Sequence, residues 1–128
     1  MSFWLNRRVL ITGHTGFKGT WLTLALMDSG AMVSGYALAA DQVSLFNQVA
    51  SASNIDNVMG DIRDKTMLTK KIAEFQPNII FHLAAQPLVL DSYKQPYQTF
   101  DVNLMGTASL LEAALDSEFS GTILMVTS

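Results

Sequence analysis

Short runs of apolar residues recur along this chain, and glycine, proline or polar residues separate them. A short run that is apolar almost throughout, rather than at every second position, is typical of a strand buried on both faces of a sheet. Five segments predict such strands: residues 8–12, 31–36, 57–59, 78–82 and 122–126. We therefore expect a sheet of about five strands.

Between these runs, apolar residues recur at the three- and four-residue spacing of helices. The spacing predicts one helix over residues 17–29, which Gly30 would end, and a second that Asp64 would cap and that continues to Phe75. A longer helical pattern over residues 97–116 predicts a third helix. The residues expected to share one side of that helix are Phe100, Asn103, Leu104, Thr107, Leu110, Leu111 and Ala114.

The predicted elements follow the order strand, helix, strand, strand, helix, strand, helix, strand, with a helical turn at residues 45–49. Buried strands that alternate with helices predict a parallel sheet covered on both faces, and right-handed crossovers make the doubly wound arrangement the simplest topology. The expected fold class is therefore α/β, of the Rossmann type. The 128 residues suffice for one domain and leave no room for a second, substrate-binding domain.

Composition and charge exclude several classes of function. Hydrophobic residues make up 49% and charged residues 15% of the chain, which is enough apolar surface for a sizeable core and excludes predominant disorder. The net charge of −3, without a basic cluster, argues against nucleic-acid binding. No apolar run reaches the ~18 residues of a membrane span, and the N-terminus lacks a signal-peptide pattern. Since cysteine is absent as well, we expect a cytoplasmic protein without disulfides, membrane partners or thiolate metal ligands.

A glycine-rich loop follows the first predicted strand and opens the first predicted helix. Its sequence, Gly13-His14-Thr15-Gly16-Phe17-Lys18-Gly19, has the spacing G-x-x-G-x-x-G. In this spacing Gly13 permits a tight turn, Gly16 lets the backbone approach a pyrophosphate, and Gly19 lets the helix pack closely on the sheet. The loop therefore predicts dinucleotide binding at a helix N-terminus, with a purely structural loop as the alternative. A P-loop is excluded because the G-K-[ST] ending is missing.

The acid that commonly binds the adenosine ribose is missing from the end of the second predicted strand, near Ala37. This position therefore leaves the choice between NAD and NADP open. Asp61, which follows the third predicted strand, is a candidate acceptor for the adenine amino group, with a loop or capping role as the alternative.

Two further motifs complete a family pattern: His82-Leu83-Ala84-Ala85-Gln86 and Asp101-Val102-Asn103-Leu104-Met105-Gly106-Thr107. Together with the glycine loop, they make the chain resemble the extended short-chain dehydrogenase/reductase superfamily. Within it, the chain is most similar to the N-terminal part of the CDP-glucose 4,6-dehydratase family. The resemblance covers residues 3–128, whereas members of the family continue well beyond this point.

The resemblance implies roles for particular residues. Those implied to line the cofactor phosphates are His14, Thr15, Phe17 and Lys18. Those implied to form a wall beside the cofactor are Leu83, Ala84 and Ala85. Asp61 and Ile62 would flank the adenine, Gln86 would turn toward the sugar nucleotide, and Asn103 would support the architecture of the active site. His82, at the end of the fourth predicted strand, is interpreted as a core or rim residue rather than as a catalytic base.

Thr127 and Ser128 match the start of the family motif T-S-D-K-x-Y, in which Ser128 takes the catalytic position that hydrogen-bonds the sugar O4. The Asp-Lys pair of that motif and the Tyr-x-x-x-Lys pair of the superfamily are not found in the 128 residues. We therefore expect this chain to be the cofactor-binding domain, cut at the active-site strand and without the C-terminal substrate domain. Alone, it is expected to be inactive.

The activity that the resemblance implies is the NAD-dependent conversion of CDP-glucose to CDP-4-keto-6-deoxyglucose, a step of polysaccharide biosynthesis such as that of O-antigen. The sugar is oxidised at C4, loses water across C5 and C6, and is reduced at C6. The alternatives are another NAD(P)-dependent sugar-nucleotide dehydratase, epimerase or reductase, and a non-catalytic NAD-binding module. The family is also expected to form homodimers, and an uncovered last strand favours self-association of the isolated chain.

Overall fold

The computed structural model describes residues 2–49 and 55–127, which alternate between strands and helices. The strands are β1 (Arg8–Thr12), β2 (Met32–Ala37), β3 (Asp56–Met59), β4 (Ile79–His82) and β5 (Thr122–Met125). The helices are α1 (Phe17–Asp28), α2 (Leu45–Val49), α3 (Lys65–Phe75), α4 (Val89–Lys94), α5 (Pro96–Phe100) and α6 (Gly106–Asp116). A π-helical turn (Asp101–Met105) joins α5 to α6.

The five strands form one sheet in the order β3-β2-β1-β4-β5, and every neighbouring pair is parallel. This arrangement confirms the predicted doubly wound fold. From β1 the chain adds β2 and β3 on one side of the sheet and then crosses back to add β4 and β5 on the other side. The direction in which strands are added therefore reverses beside β1. A crevice forms at the carboxyl ends of the strands at such a switch point, where folds of this type bind their ligands.

Two apolar cores cover the two faces of the sheet, because side chains of a strand point alternately to opposite faces. From β1, Leu10 enters the core beneath α3 and α6, while Val9 and Ile11 enter the core beneath α1. All three side chains are fully buried. The requirement for apolar side chains on both faces explains why the strands appear in the sequence as nearly continuous apolar runs.

The predicted helix ends are confirmed at two positions. The carboxylate of Asp64 accepts a hydrogen bond of 2.9 Å from the backbone N–H of Met67, so Asp64 caps α3 as expected. Gly30 follows the end of α1 with φ +88°, a left-handed conformation that glycine adopts without steric cost. Its N–H donates to the carbonyl of Met27 and closes the last turn.

The helix predicted over residues 97–116 is present, since helical residues run without a break from Pro96 to Asp116, but the prediction that its apolar residues share one side is wrong. The π-helical turn holds more residues than an α-turn, so the apolar positions before and after it do not continue one face. Leu110 and Ala114 enter the core, whereas Phe100 and Leu104 are 69% and 63% exposed. Helix α4 was not predicted, since none of its residues is buried and no amphipathic pattern marks it. None of the helices in the described ranges is both long and apolar enough to cross a membrane.

Candidate functional site

A cleft of about 990 Å³ opens at the carboxyl ends of the strands, beside the switch point of the sheet. We call it the sheet-edge cleft. Its walls include the glycine loop, residues 36–38 at the end of β2, residues 60–63 after β3, residues 82–89 at and after β4, and residues 125–127 at the end of β5. Residues of α4, α5, the π-helical turn and the start of α6 complete the lining. The volume is of the size that a bound organic ligand requires.

The three glycines of the loop are needed for two different reasons. A Cβ on Gly13, whose φ is +78°, would lie 2.7 Å from the backbone nitrogen of Ala84, and a Cβ on Gly19 would overlap the carbonyl oxygen of Gly13. These two positions require glycine for the fold itself. A Cβ on Gly16 would meet only the Gly13 carbonyl oxygen, at 3.4 Å, so that the fold tolerates a side chain there. The space at Gly16 belongs to the cleft that it lines.

Gly16 also occupies the N-cap position of α1, and no side chain caps the helix. The first N–H groups of a helix have no partner within the helix and carry its positive end, which favours an anion in front of them. Thr15, Phe17 and Lys18 line the cleft around this end, and their expected contact with cofactor phosphates stays a prediction. Thr15 donates a hydrogen bond of 3.0 Å to the carbonyl oxygen of Leu38 and so holds the loop against the end of β2.

The His14 side chain does not lie where the resemblance implies. It is fully buried and points away from the sheet-edge cleft, with Nε2 2.6 Å from Oδ1 of Asn57 and its ring packed edge-on against Phe46. A Cβ on Gly35 would overlap the ring, so β2 accommodates His14 only because it carries glycine there. Burial lowers the pKa of His14, which keeps the ring neutral at neutral pH. The side chain thus anchors the loop from below and is not among the described residues that line the cleft.

Asp61 and Ile62 stand at the other end of the cleft, where both contribute to its wall. Arg63 holds the carboxylate of Asp61, and this guanidinium lowers the pKa of Asp61, so the group is ionised at neutral pH. Ile62 is only 6% exposed, and most of its side chain packs into the core against Gly106.

Leu83, Ala84 and Ala85 line the cleft directly after β4, and their expected place beside a cofactor stays a prediction. The backbone N–H of Leu83 donates to the carbonyl oxygen of Thr12 at 3.0 Å, and that of Ala84 donates to the Thr12 hydroxyl at 3.3 Å. The wall is therefore held against the end of β1, only a few ångströms from the glycine loop.

Asn103 lies in the π-helical turn and binds the backbone of Gln86 on both sides. Its Oδ1 accepts from the Gln86 N–H at 2.7 Å, and its Nδ2 donates to the Gln86 carbonyl oxygen at 3.2 Å. The Gln86 side chain folds back onto its own loop, since its Nε2 donates to the Leu88 carbonyl and to the Thr99 hydroxyl, both at 3.1 Å. The expected orientation of Gln86 toward a sugar is therefore not found in this structure, whereas the supporting contacts of Asn103 are present.

His82 takes part in a row of hydrogen bonds whose direction can be assigned. Because the Thr107 hydroxyl donates its one proton to the Asn103 carbonyl oxygen at 2.7 Å, it accepts from Nε2–H of His82 at 2.9 Å. Nδ1 of the neutral ring then carries no proton and accepts from the Thr12 hydroxyl at 2.7 Å, while that hydroxyl also accepts from the Ala84 N–H at 3.3 Å. Burial lowers the pKa of His82, in keeping with the neutral ring that this row requires.

The row agrees with the interpretation of His82 as a core or rim residue, and it joins β1, β4 and the π-helical turn. Sequence reasoning missed Thr12, Thr107 and Arg63 as members of the site. The partners of Thr12 and Thr107 lie on other elements, so no local pattern marks these two residues. Ser128, the expected catalytic hydroxyl, lies outside the described residues; Thr127, just before it, lines the cleft.

The family model for GDP-mannose 4,6-dehydratase matches residues 10–128. The chain is 54% identical to a CDP-glucose 4,6-dehydratase of Salmonella typhimurium over 112 residues, which are 87% of this chain and 31% of that protein. It is 33% identical over 116 residues to a GDP-mannose 4,6-dehydratase of Vibrio cholerae, covering 85% of this chain and 31% of the relative. The chain thus spans about a third of the length of these curated relatives.

Solved structures with the same fold include two UDP-glucose 4-epimerases. That of Brucella ovis, in complex with NAD, has a TM-score of 0.80 and 26% identity over 93% of this chain and 35% of its own. That of Stenotrophomonas maltophila, with bound NAD and formylated UDP-arabinopyranose, has a TM-score of 0.85 and 26% identity over 96% of this chain and 37% of its own. The likeness again lies within about a third of each epimerase.

The directed hydrogen bonds around His82 lead to a test with two variants of Thr107. Thr107→Val removes the acceptor for a buried N–H, so we expect it to lower the free energy of unfolding by about 1–3 kcal/mol. Thr107→Ser keeps the hydroxyl and loses one methyl group, which costs about 0.8 kcal/mol at most. Urea denaturation measures both, and nitrogen NMR of the His82 ring should show the proton on Nε2. Equal losses in the two variants, or a proton on Nδ1, would contradict the assigned direction.

Proposed function

The chain belongs to the GDP-mannose 4,6-dehydratase family, and from this membership we propose that it supplies the cofactor-binding part of an NAD-dependent sugar-nucleotide 4,6-dehydratase. The family match and the epimerase neighbours agree with the resemblance to the extended short-chain dehydrogenase/reductase superfamily. The observation that carries the proposal is the sheet-edge cleft, which brings the glycine loop, Asp61 and the wall after β4 around one space.

The cleft fits a dinucleotide by a feature of its own shape. Gly16 has no side chain, so the space that a Cβ would take is open. This space lies in front of the uncapped N-terminus of α1, where an anion is favoured. We propose that this end, with Thr15 and Lys18 beside it, binds the pyrophosphate, and that Asp61 faces the adenine. Leu83, Ala84 and Ala85 would then keep water from the nicotinamide. NAD supplies reversible hydride transfer when it is bound.

We assign NAD rather than NADP as the cofactor of this site. The two epimerases named above carry NAD in their solved structures. At the end of β2, Ala37 and Leu38 line the cleft, and neither offers a charge to a ribose phosphate. Titration with both dinucleotides, as described below, distinguishes the two cofactors.

CDP-glucose is the substrate that we propose, because the relative with 54% identity is a CDP-glucose 4,6-dehydratase. Another sugar nucleotide is the alternative, since relatives at 33% and 38% identity are named as a GDP-mannose 4,6-dehydratase and a UDP-glucose 4-epimerase. For Ser128 we retain the role of hydrogen-bonding the sugar O4, which its match to the family motif T-S-D-K-x-Y supports. The Tyr-x-x-x-Lys pair is not found in residues 1–128, so we propose that they bind the cofactor without turning over the sugar.

We propose that the expected homodimer forms through an exposed apolar surface on the helices after β4. Large apolar side chains recur at spacings of three, four, seven and four residues along the helices after β4, and all are exposed. They are Tyr97, Phe100, Leu104, Leu111 and Leu115. Exposed large apolar side chains on neighbouring helical turns favour burial against another protein surface, and the proposed occupant is the same surface of a second copy. The cytoplasmic location stays a prediction.

The role of the glycines in binding is tested by calorimetric titration with NAD and NADP. Gly16→Ala places a methyl group in the cleft without a clash inside the protein, so we expect the urea midpoint to stay unchanged. The NAD affinity should fall by at least about tenfold, or ~1.4 kcal/mol. Gly19→Ala serves as the contrast, because its Cβ overlaps the Gly13 carbonyl and should destabilise the fold itself. A Gly16→Ala protein that binds NAD as tightly as the parent would contradict the assigned pyrophosphate site.

Turnover is tested in a chimera that joins residues 1–128 of this chain to the part of the Salmonella CDP-glucose 4,6-dehydratase that follows the matching position. We expect the chimera to convert CDP-glucose to a product lighter by one water, measured by mass spectrometry, and residues 1–128 alone to give none. Ser128→Ala in the chimera should lower kcat by roughly 10²–10³-fold, the scale for loss of one aligned hydrogen-bonding group. A folded, NAD-binding chimera without turnover would count against the proposal.

The dimer is tested by light scattering over a concentration series. We expect association of the unmodified chain and a monomer for the variant Phe100→Glu/Leu104→Glu, since two charges cannot be buried unpaired in a helix interface. Lys70→Glu, an exposed charge change on α3, is the control that should leave association unchanged. A monomer at every concentration of the parent chain would refute the surface.

A further inference from the structure

Three charged side chains interact beside the sheet-edge cleft, and two of them, Asp61 and Arg63, line it. Arg63 reaches Asp61 with two groups of its fork, Nε to Oδ1 at 2.9 Å and Nη2 to Oδ2 at 2.7 Å. Its third nitrogen, Nη1, reaches Oδ2 of Asp101 at 2.6 Å. Asp101 begins the π-helical turn, so the guanidinium connects the loop after β3 with the opposite wall of the cleft.

The hydrogen bonds leave Asp61 with one free acceptor site. An ionised carboxylate offers about four lone pairs. On Oδ1, one is taken by the backbone N–H of Arg63 and one by its Nε, both at 2.9 Å, whereas Oδ2 accepts only Nη2 among the residues that the structure describes. The remaining lone pair is on Oδ2, on a side chain that is 33% exposed and lines the cleft. Asp61 is thus prepared to accept one further N–H donor and to repel a carbonyl oxygen.

Stability alone gives little reason for this ionic arrangement. The side chains of Arg63, Asp61 and Asp101 are each about a third exposed, and ion pairs at such positions contribute about 0–1 kcal/mol to folding. A planar guanidinium bound to both oxygens does fix the orientation of a carboxylate, which a lysine ammonium cannot do. The expected effect of the array is therefore on the direction of a hydrogen bond in the cleft.

We propose that Arg63 is a positioning residue that orients the Asp61 carboxylate to recognise the amino group of adenine, and that Asp101 anchors Arg63 from the π-helical turn. The inference rests on the proposed function, because it assumes that the adenine of NAD lies at this end of the cleft. It adds to that function the residue that determines base selectivity. It also explains why Asp101 and Asn103 share one turn: the same turn holds Arg63 and the Gln86 loop.

The test compares NAD with nicotinamide hypoxanthine dinucleotide, in which a carbonyl oxygen replaces the adenine amino group. Calorimetry gives the ratio of the two dissociation constants, which we expect to favour NAD by about tenfold or more in the parent protein, the scale of one hydrogen bond to a charged group. Arg63→Gln should reduce the ratio to within about threefold of unity, mainly by weakening NAD. Asp101→Ala should reduce it less, because the contacts between Arg63 and Asp61 remain.

Lys65→Gln is the matched control, because Lys65 also bridges two carboxylates, those of Glu112 and Asp116, but away from the cleft. It should leave the ratio unchanged. Arg63→Lys keeps the charge and the fold but lacks the planar fork, and it should give an intermediate ratio even if Arg63→Gln fails to fold.

Two results would overturn the inference: a parent protein that binds both dinucleotides equally, or Arg63 variants that retain the full ratio. A parent protein that is folded but binds neither dinucleotide would refute the proposed function itself, and with it the site on which Arg63 is proposed to act. A protein that binds NAD without base selectivity would leave the proposed function standing and remove only the role of Arg63.

Discussion

The close approach of two backbones at the carboxyl end of β1 is the constraint on which the site depends. Gly13 leaves β1 so near to Ala84 that any side chain on it would collide with the chain after β4. Its N–H donates to the Tyr36 carbonyl oxygen at the end of β2, so one residue touches both neighbours of the central strand. The glycine loop and the wall opposite it are therefore placed by contacts within the sheet, before any ligand is considered.

Polar contacts then connect the cleft to the helices around it. The hydroxyls of Thr12 and Thr107 hold His82 between them, Asn103 holds the Gln86 loop, and Arg63 reaches across to Asp101. Three of these contacts end in the π-helical turn or one turn beyond it. A π-turn is a common device at functional sites, because it displaces the side chains that follow it from their α-helical positions. Here it presents Asn103 to the Gln86 loop and Asp101 to Arg63.

Local patterns in the sequence sufficed for the elements that depend on local physics. The five strands, the cap at Asp64 and the left-handed Gly30 follow from side-chain burial and backbone preference within a few residues. The spacing of the glycine loop predicted a turn between β1 and α1, which the structure contains, whereas Thr15, Phe17 and Lys18 were named from the family resemblance. Contacts between distant elements could not be foreseen in this way. The inward turn of His14 requires Gly35 on the next strand, and the folded-back Gln86 requires Thr99.

The place of β1 in the sheet also bears on how the chain is made. β1 is central, and it pairs with β4, whose residues follow it by about 70 positions: Val9 lies beside Ile79. At about 5–20 residues per second, a ribosome needs roughly 4 to 14 seconds to extend the chain from one strand to the other. During that interval β1 can pair with β2, but its other edge, apolar on both faces, stays unpaired. The strand that organises the finished molecule is thus its main hazard during synthesis, and a chaperone that shields it before residue 79 emerges would protect the nascent chain.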